Sequence, residues 1–302
     1  MRAPMQRITL EVICRLVFGA ERPPQTAELR DALAQSLSFS KLAPLLFFPR
    51  LFDRPGRLNP ASGFLGRREE VHRLITALID ERRRSADLDS RDDVLSLLIS
   101  AGGEGEERFS DEELRDQLMT LLVAGHETTA TALAWSLERL SRNPQARERL
   151  TTSVLADDDE YLNAVIQETL RVRPPIVNVP RTTTAAVELG GRHLDPGTPV
   201  AAMLALTHRR ADIWPDPLEF KPERFLNGKP APYSFTPFGG GIRRCIGASL
   251  ALLEMRVVLR TMVRRFAIEA APGHEEKIRL IGPVLAPSKG GRVTLSGADL
   301  GD

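Results

Sequence analysis

Apolar positions along the chain follow two regimes. Through the first part they recur every three to four residues, the repeat of one helix face. Ile8, Leu10, Val12, Ile13, Leu16 and Val17 set such a stripe, stopped by Gly19 and Pro23-Pro24. Further helices are predicted over about 25–38, 63–84 and 91–100. The longest is predicted over 110–142: Leu114, Leu118, Leu121, Leu122, Leu133, Leu137 and Leu140 share its apolar pattern. Ser110 and Glu113 form a capping box at its start, and Asn143-Pro144 closes it. At 1.5 Å rise per residue it is a rod of about 48 Å. Two shorter helices follow, near 144–155 and 159–171.

After Pro174-Pro175 the repeat breaks. Val187-Glu188-Leu189, Gly190-Gly191 and Thr198-Pro199-Val200 read as short strands and hairpins. A Pro-rich meander occupies about 214–237, a glycine-rich cysteine loop 237–247, a helix about 246–266, and weak strand and turn about 279–298. There is no internal repeat, linker or clear domain boundary. The expectation is one domain over 1–302, mainly α with a minor β region, helical over 1–171.

Composition narrows the class. Hydrophobic residues at 42% and charged residues at 27% are ordinary for a soluble globular protein. A net charge of +1 gives no field to draw nucleic acid or a membrane surface. Five of the 41 basic residues are Lys, so the chain is Arg-heavy. Two cysteines suit a reducing compartment, and nothing supports pairing Cys14 with Cys245. Cys14 lies in an apolar stripe and is expected in the core, whereas the Arg82-Arg83-Arg84 run is expected to be a solvated helix end. No signal peptide is expected, because residues 1–6 lead directly into an amphipathic pattern. Residues 42–52 are apolar but short and broken by Pro44, Pro49 and Arg50, so they cannot span a bilayer. A cytoplasmic protein is expected.

Three segments carry candidate chemistry. The first is Phe238-Gly239-Gly240-Gly241-Ile242-Arg243-Arg244-Cys245-Ile246-Gly247. A thiolate that ligates iron must stay ionised, which backbone N–H groups and a helix N-terminus favour. The glycines permit positive φ and close approach of the backbone to sulfur and macrocycle. Arg243 can meet a haem propionate, and Gly247 leaves room for a flat cofactor. A lone cysteine is otherwise a small buried hydrophobe, and a glycine run can be a phosphate loop, but no Gly-Lys-Ser/Thr arrangement accompanies it.

The second segment is Ala124-Gly125-His126-Glu127-Thr128-Thr129, in the middle of the long helix. Gly there costs about 1 kcal/mol relative to Ala, which suggests a bulge or kink that opens a polar groove. Plain helix packing with a surface acid is the alternative. The third is Glu168-Thr169-Leu170-Arg171, whose charges share one helix face, as many solvated surface pairs do.

Together these segments resemble the cytochrome P-450 superfamily, of bacterial soluble type. Its ligand loop, Phe-Gly-x-Gly-x-Arg-x-Cys-x-Gly, is matched at every fixed position, and so is its Ala/Gly-Gly-x-Asp/Glu-Thr motif. Its Glu-x-x-Arg motif is matched by Glu168 and Arg171, with Arg224 of Pro222-Glu223-Arg224-Phe225 as third member of a buried lock beneath the cysteine loop. The resemblance covers the chain from about residue 5 onwards.

The resemblance implies haem b with Cys245 as axial thiolate, Arg243 and Arg181 on the propionates, and Phe238, Gly239, Gly247 and Ala124 lining the cofactor. It makes Thr128 the hydrogen-bonding group for the oxygen being activated and Glu127 the proton relay. His126 occupies the variable position, facing away with no metal role, and His208 is structural. Val177 to Val179 and the Val284-Leu285 turn would line a pocket for a small apolar organic substrate. The implied reaction puts one atom of dioxygen into that substrate. No flavin, nicotinamide or iron–sulfur motif occurs, so electrons must come from a ferredoxin or flavoprotein reductase.

One family feature is missing: an upstream helix with Trp-x-x-x-Arg or His-x-x-x-Arg. Trp135 and Arg139 have that spacing on the wrong helix. The chain is therefore expected to lack roughly the first third of the family's fold. That leaves open a catalytically inactive fragment acting as an interaction module. A peroxygenase or isomerase of the same fold is a further alternative, against which Glu127-Thr128 argues.

Overall fold

The structure is a computed structural model that describes residues 1–19, 24–36, 62–101, 108–281 and 284–297. The predicted helix end at 37–38 and the apolar segment 42–52 lie outside these. The chain divides into two compact units, Gln6–Glu127 and Met1–Met5 with Thr128–Asp302.

The smaller unit contains most of α1 (Arg2–Phe18), then α2 (Pro24–Ser36), α3 (Ser62–Arg83), α4 (Val94–Ser100) and the first half of α5 (Asp111–Arg142). Ile13, Val17, Leu33, Ile75, Leu95 and Leu118 fill its core, each worth about 1.5–3 kcal/mol when fully buried. Cys14 belongs to this core, where burial pushes its thiol up to about 12. Both cysteines are free.

The capping box forms as the spacing predicts. The Glu113 N–H donates to the Ser110 hydroxyl at 3.3 Å, and the Ser110 N–H donates to the Glu113 carboxylate at 2.9 Å. Arg82 departs from its predicted solvated place and is buried. It donates to the Phe18 carbonyl at 2.8 Å and bonds Asp93 and Ser96. Phe18 is the last residue of α1, whose carbonyl has no partner within its own helix. Asp93 caps α4 by accepting the Ser96 N–H at 3.0 Å. A cation serving two helix ends is held inside, while Arg83 and Arg84 remain exposed.

In the larger unit the second half of α5 packs with α6 (Pro144–Leu155), α7 (Glu160–Val172) and α9 (Ala248–Arg265) around Leu133, Leu137, Leu162, Ile166 and Leu259. Among the described residues this unit also carries four antiparallel strand pairs. β1 (Val179–Thr182) pairs with β4 (Pro199–Ala202), and β2 (Val187–Leu189) with β3 (Arg192–Leu194). β5 (Phe266–Ala270) pairs with β8 (Val293–Gly297), and β6 (Ile278–Ile281) with β7 (Val284–Pro287). Gly190 and Gly191, at φ +59° and +73°, make the tight β2–β3 hairpin turn. The short α8 (Leu204–Thr207) precedes the meander.

Val284 and Leu285 open strand β7 rather than forming a turn. The Leu285 N–H donates to the Pro175 carbonyl at 2.8 Å, and its own carbonyl accepts from Trp135 Nε1 at 2.9 Å. Trp135 also lies 5.3 Å beneath the Arg173 guanidinium, while Arg139 pairs with Glu138 and Glu275. Both members of the misplaced Trp-x-x-x-Arg spacing are thus taken up by packing. No helix among the described residues is long and apolar enough to cross a membrane.

Candidate active site

The cysteine loop is built by backbone conformation. Gly239 and Gly241 have φ of +72° and +70°, whereas Gly240 between them is extended at −151°. A Cβ at either positive-φ position would be strained, although open space surrounds both. The turn doubles the chain back so that the Cys245 N–H donates to the Phe238 carbonyl at 3.0 Å. Phe238 is half-buried and packs on the core, which anchors the loop. Gly247 is the N-cap of α9, and the Cys245 thiol, unlike that of Cys14, is exposed. Arg243, Ile242 and Ile246 are exposed beside it. The loop therefore offers one soft donor at a helix start, apolar flanks and a cation. Those are the groups a flat, apolar iron macrocycle with carboxylate arms requires, so the residues fit haem.

The same unit holds a buried lock between α7 and the meander. Glu168 and Arg171 are both fully inaccessible and meet at 2.7 Å. The Arg224 guanidinium is 3.4 Å from Glu168, which also accepts the Lys221 N–H at 2.8 Å. The three charges read from Glu-x-x-Arg and Pro-Glu-Arg-Phe are thus brought together, and the solvated-pair alternative is excluded. His208 joins them: its carbonyl accepts from Arg171 at 2.9 Å, and its Nε2 accepts the Thr236 N–H at 3.0 Å.

Within the smaller unit, residues up to Glu127 show why α5 has its unusual composition. The helix runs without interruption through 124–129, so the bulge that its composition suggests does not form. Gly125 answers to packing instead, because a Cβ there would stand 3.0 Å from Ile13 Cδ1 of α1. Ala124 is exposed. The Glu127 carboxylate accepts from the Gln6 amide at 2.6 Å. His126 turns inward, its Nδ1 3.1 Å from the Leu122 carbonyl, while its own carbonyl accepts from the Thr9 hydroxyl at 2.9 Å.

In the larger unit Thr128 is half-buried and Thr129 is buried. Thr129 hydrogen-bonds Glu254 of α9, whose carboxyl burial pushes up to about 7. Arg181 is exposed on β1, with its guanidinium donating to the Pro180 carbonyl at 2.7 Å. Glu254 and Gln6 were missed by sequence reasoning. An acid beside the apolar α9 positions Met255 and Leu259 was the available signal for Glu254; Gln6 carried none.

Residues 1–295 match the family model described as Cytochrome P450. The chain belongs to the cytochrome P450 family. It is similar to "Putative cytochrome P450 135B1" of Mycobacterium tuberculosis, 41% identical over 301 residues that cover 96% of this chain and 62% of that protein. "Putative cytochrome P450 137" of the same organism is 36% identical, over 95% of this chain and 60% of that one. The chain thus spans about 60% of the length of these curated relatives. Among solved structures, the cytochrome P450DA heme domain superposes with TM-score 0.82 at 26% identity, covering 98% of this chain and 67% of that one. Cyanobacterial CYP120A1, solved with retinoic acid bound, gives 0.81 at 27% identity, covering 98% and 68%. The cofactor of a cytochrome P450 is haem b on an axial cysteine thiolate.

Proposed function

We propose that this chain is the haem-binding and oxygen-activating part of a monooxygenase, with Cys245 as the thiolate ligand. The observation that carries this reading is the loop itself: an exposed thiol at the start of α9, reached through two positive-φ glycines and tied to Phe238. Gly239 and Gly247 supply the clearance and Phe238 an apolar contact, while Ala124 takes its cofactor role from the family motif alone. Arg243 and Arg181 are the candidate propionate partners. Both are exposed cations, and Arg181 can exchange its contact with Pro180 for a carboxylate. When bound, haem supplies a redox-active iron whose thiolate ligand favours O–O cleavage.

The chain's own residues handle protons and placement. The Thr128 hydroxyl is the donor towards oxygen, and Glu127 passes protons to it from the Gln6 side. The part-buried Val177 and Val179 are candidate linings for a small apolar organic substrate. Electrons come from a ferredoxin or flavoprotein reductase, and two free cysteines suit a reducing cytoplasm. We read 1–302 as one domain of this family.

The test is turnover of an apolar substrate by the haem-loaded chain with a reductase system or with peroxide. Thr128→Ala is expected to consume reductant while releasing peroxide instead of hydroxylated product. Wild-type coupling in Thr128→Ala would remove that residue's role, and turnover with peroxide alone would favour a peroxygenase.

A further inference from the structure

His208 stands where the buried lock meets the chain that becomes the cysteine loop. It caps the end of α8 and is fully buried. Its backbone carbonyl is held by Arg171 at 2.9 Å. Its ring Nε2 lies 3.0 Å from the Thr236 backbone nitrogen. A peptide N–H can only donate, so Nε2 must present a lone pair, and the ring proton belongs on Nδ1. Burial first, and the Arg171 guanidinium second, push the imidazole down to about 4, so the ring is neutral at physiological pH. Phe235, with its ring centroid 5.3 Å away, walls it in.

The path continues without a gap. The Thr236 carbonyl accepts the Gly239 N–H at 2.9 Å, and one residue before that glycine, the Phe238 carbonyl accepts the Cys245 N–H at 3.0 Å. From the Glu168–Arg171 pair to the backbone of Cys245, each step is a hydrogen bond or a short stretch of chain. We propose that His208 is a positioning residue for the cysteine loop, its imidazole lone pair fixing Thr236 and hence the turn that presents Cys245. This rests on Cys245 being the iron ligand. A histidine that merely filled space would need no acceptor at Nε2, and an apolar side chain of similar size would replace it. The Thr236 N–H asks for one.

The test compares His208→Gln with His208→Leu in the full haem-loaded chain. A Gln side chain can place an acceptor near the Nε2 position, and Leu cannot. Wild type must first give the thiolate-type reduced-CO band, and its absence there would count against the ligand assignment rather than this proposal. Given that band, His208→Leu is expected to lose most of it to the thiol-type band, and His208→Gln to keep it. Equal, unchanged spectra for both variants would overturn the proposal, as would equal loss in both. Should the Leu variant fail to fold, ¹⁵N NMR of the reduced-CO wild-type chain decides. A bare Nε2 with a proton on Nδ1 is expected, and a protonated Nε2 would overturn the proposal.

Discussion

Arg171 uses every donor it has. Two N–H groups grip the two oxygens of Glu168, each at 2.7 Å. The other three go to the carbonyls of His208 at 2.9 Å, Pro217 at 2.8 Å and Glu219 at 3.0 Å. A guanidinium with no accessible surface and five satisfied donors ties α7 to the meander from inside. Arg171→Met removes both the charge and the fork, and should destabilise the chain by about 3–5 kcal/mol, because Glu168 loses its buried partner. Denaturant unfolding measures this. A loss within the range of an exposed ion pair, about 0–1 kcal/mol, would contradict the lock.

The three loop glycines should not respond alike. Alanine at Gly239 or Gly241 is forced into the left-handed region, at a cost of about 1–2 kcal/mol. Gly240 is extended, and a Cβ there meets only Tyr233 at 3.9 Å. Gly240→Ala should therefore retain haem as wild type does in a competition assay, while the other two release it faster.

Gly291 is crowded by another element. A Cβ there would come 2.8 Å from the Ala134 carbonyl oxygen of α5, at φ +68°. Backbone cannot swing aside as a side chain can, so Gly291→Ala should cost more than about 1–3 kcal/mol, the usual range for overpacking. Gly290→Ala, with only Arg2 Cβ at 4.0 Å, should show backbone strain alone. Unfolding midpoints of the two variants separate these cases.

Glu254 makes stability depend on pH. Burial raises its carboxyl from the ordinary 4.5 to about 7, against the opposing pull of the Thr129 hydrogen bond. Between those values the folded chain holds a proton that the unfolded chain has released. This contribution is therefore intact below 4.5 and declines as pH rises towards 7. Glu254→Gln should flatten that decline and leave the variant the more stable form above it. A steeper decline in the variant would contradict the assignment.

The candidate site was readable where its chemistry is written in contiguous residues. The cysteine loop and the Glu-x-x-Arg pair each lie on one turn or helix, and the longer helices, unlike the short α8, follow the sequence pattern. What escaped was non-local. Arg82 is buried by a carbonyl from α1 and an acid from the start of α4, neither of which a run of three arginines reveals. The bulge expected at Gly125 assumed that a weak helix position must bend. Its Gly is explained by the closeness of Ile13, more than a hundred residues away in sequence. Glu254 hid among apolar neighbours, and His208 was legible as structural without showing what its lone pair holds.

The decisive experiment is the reduced-CO spectrum of the haem-loaded chain beside that of Cys245→Ser. The thiolate-type band should be present in the first and absent in the second, while Thr128→Ala retains it. A thiolate-type band that survives in Cys245→Ser would show that a group other than Cys245 binds the iron, and would contradict the central claim.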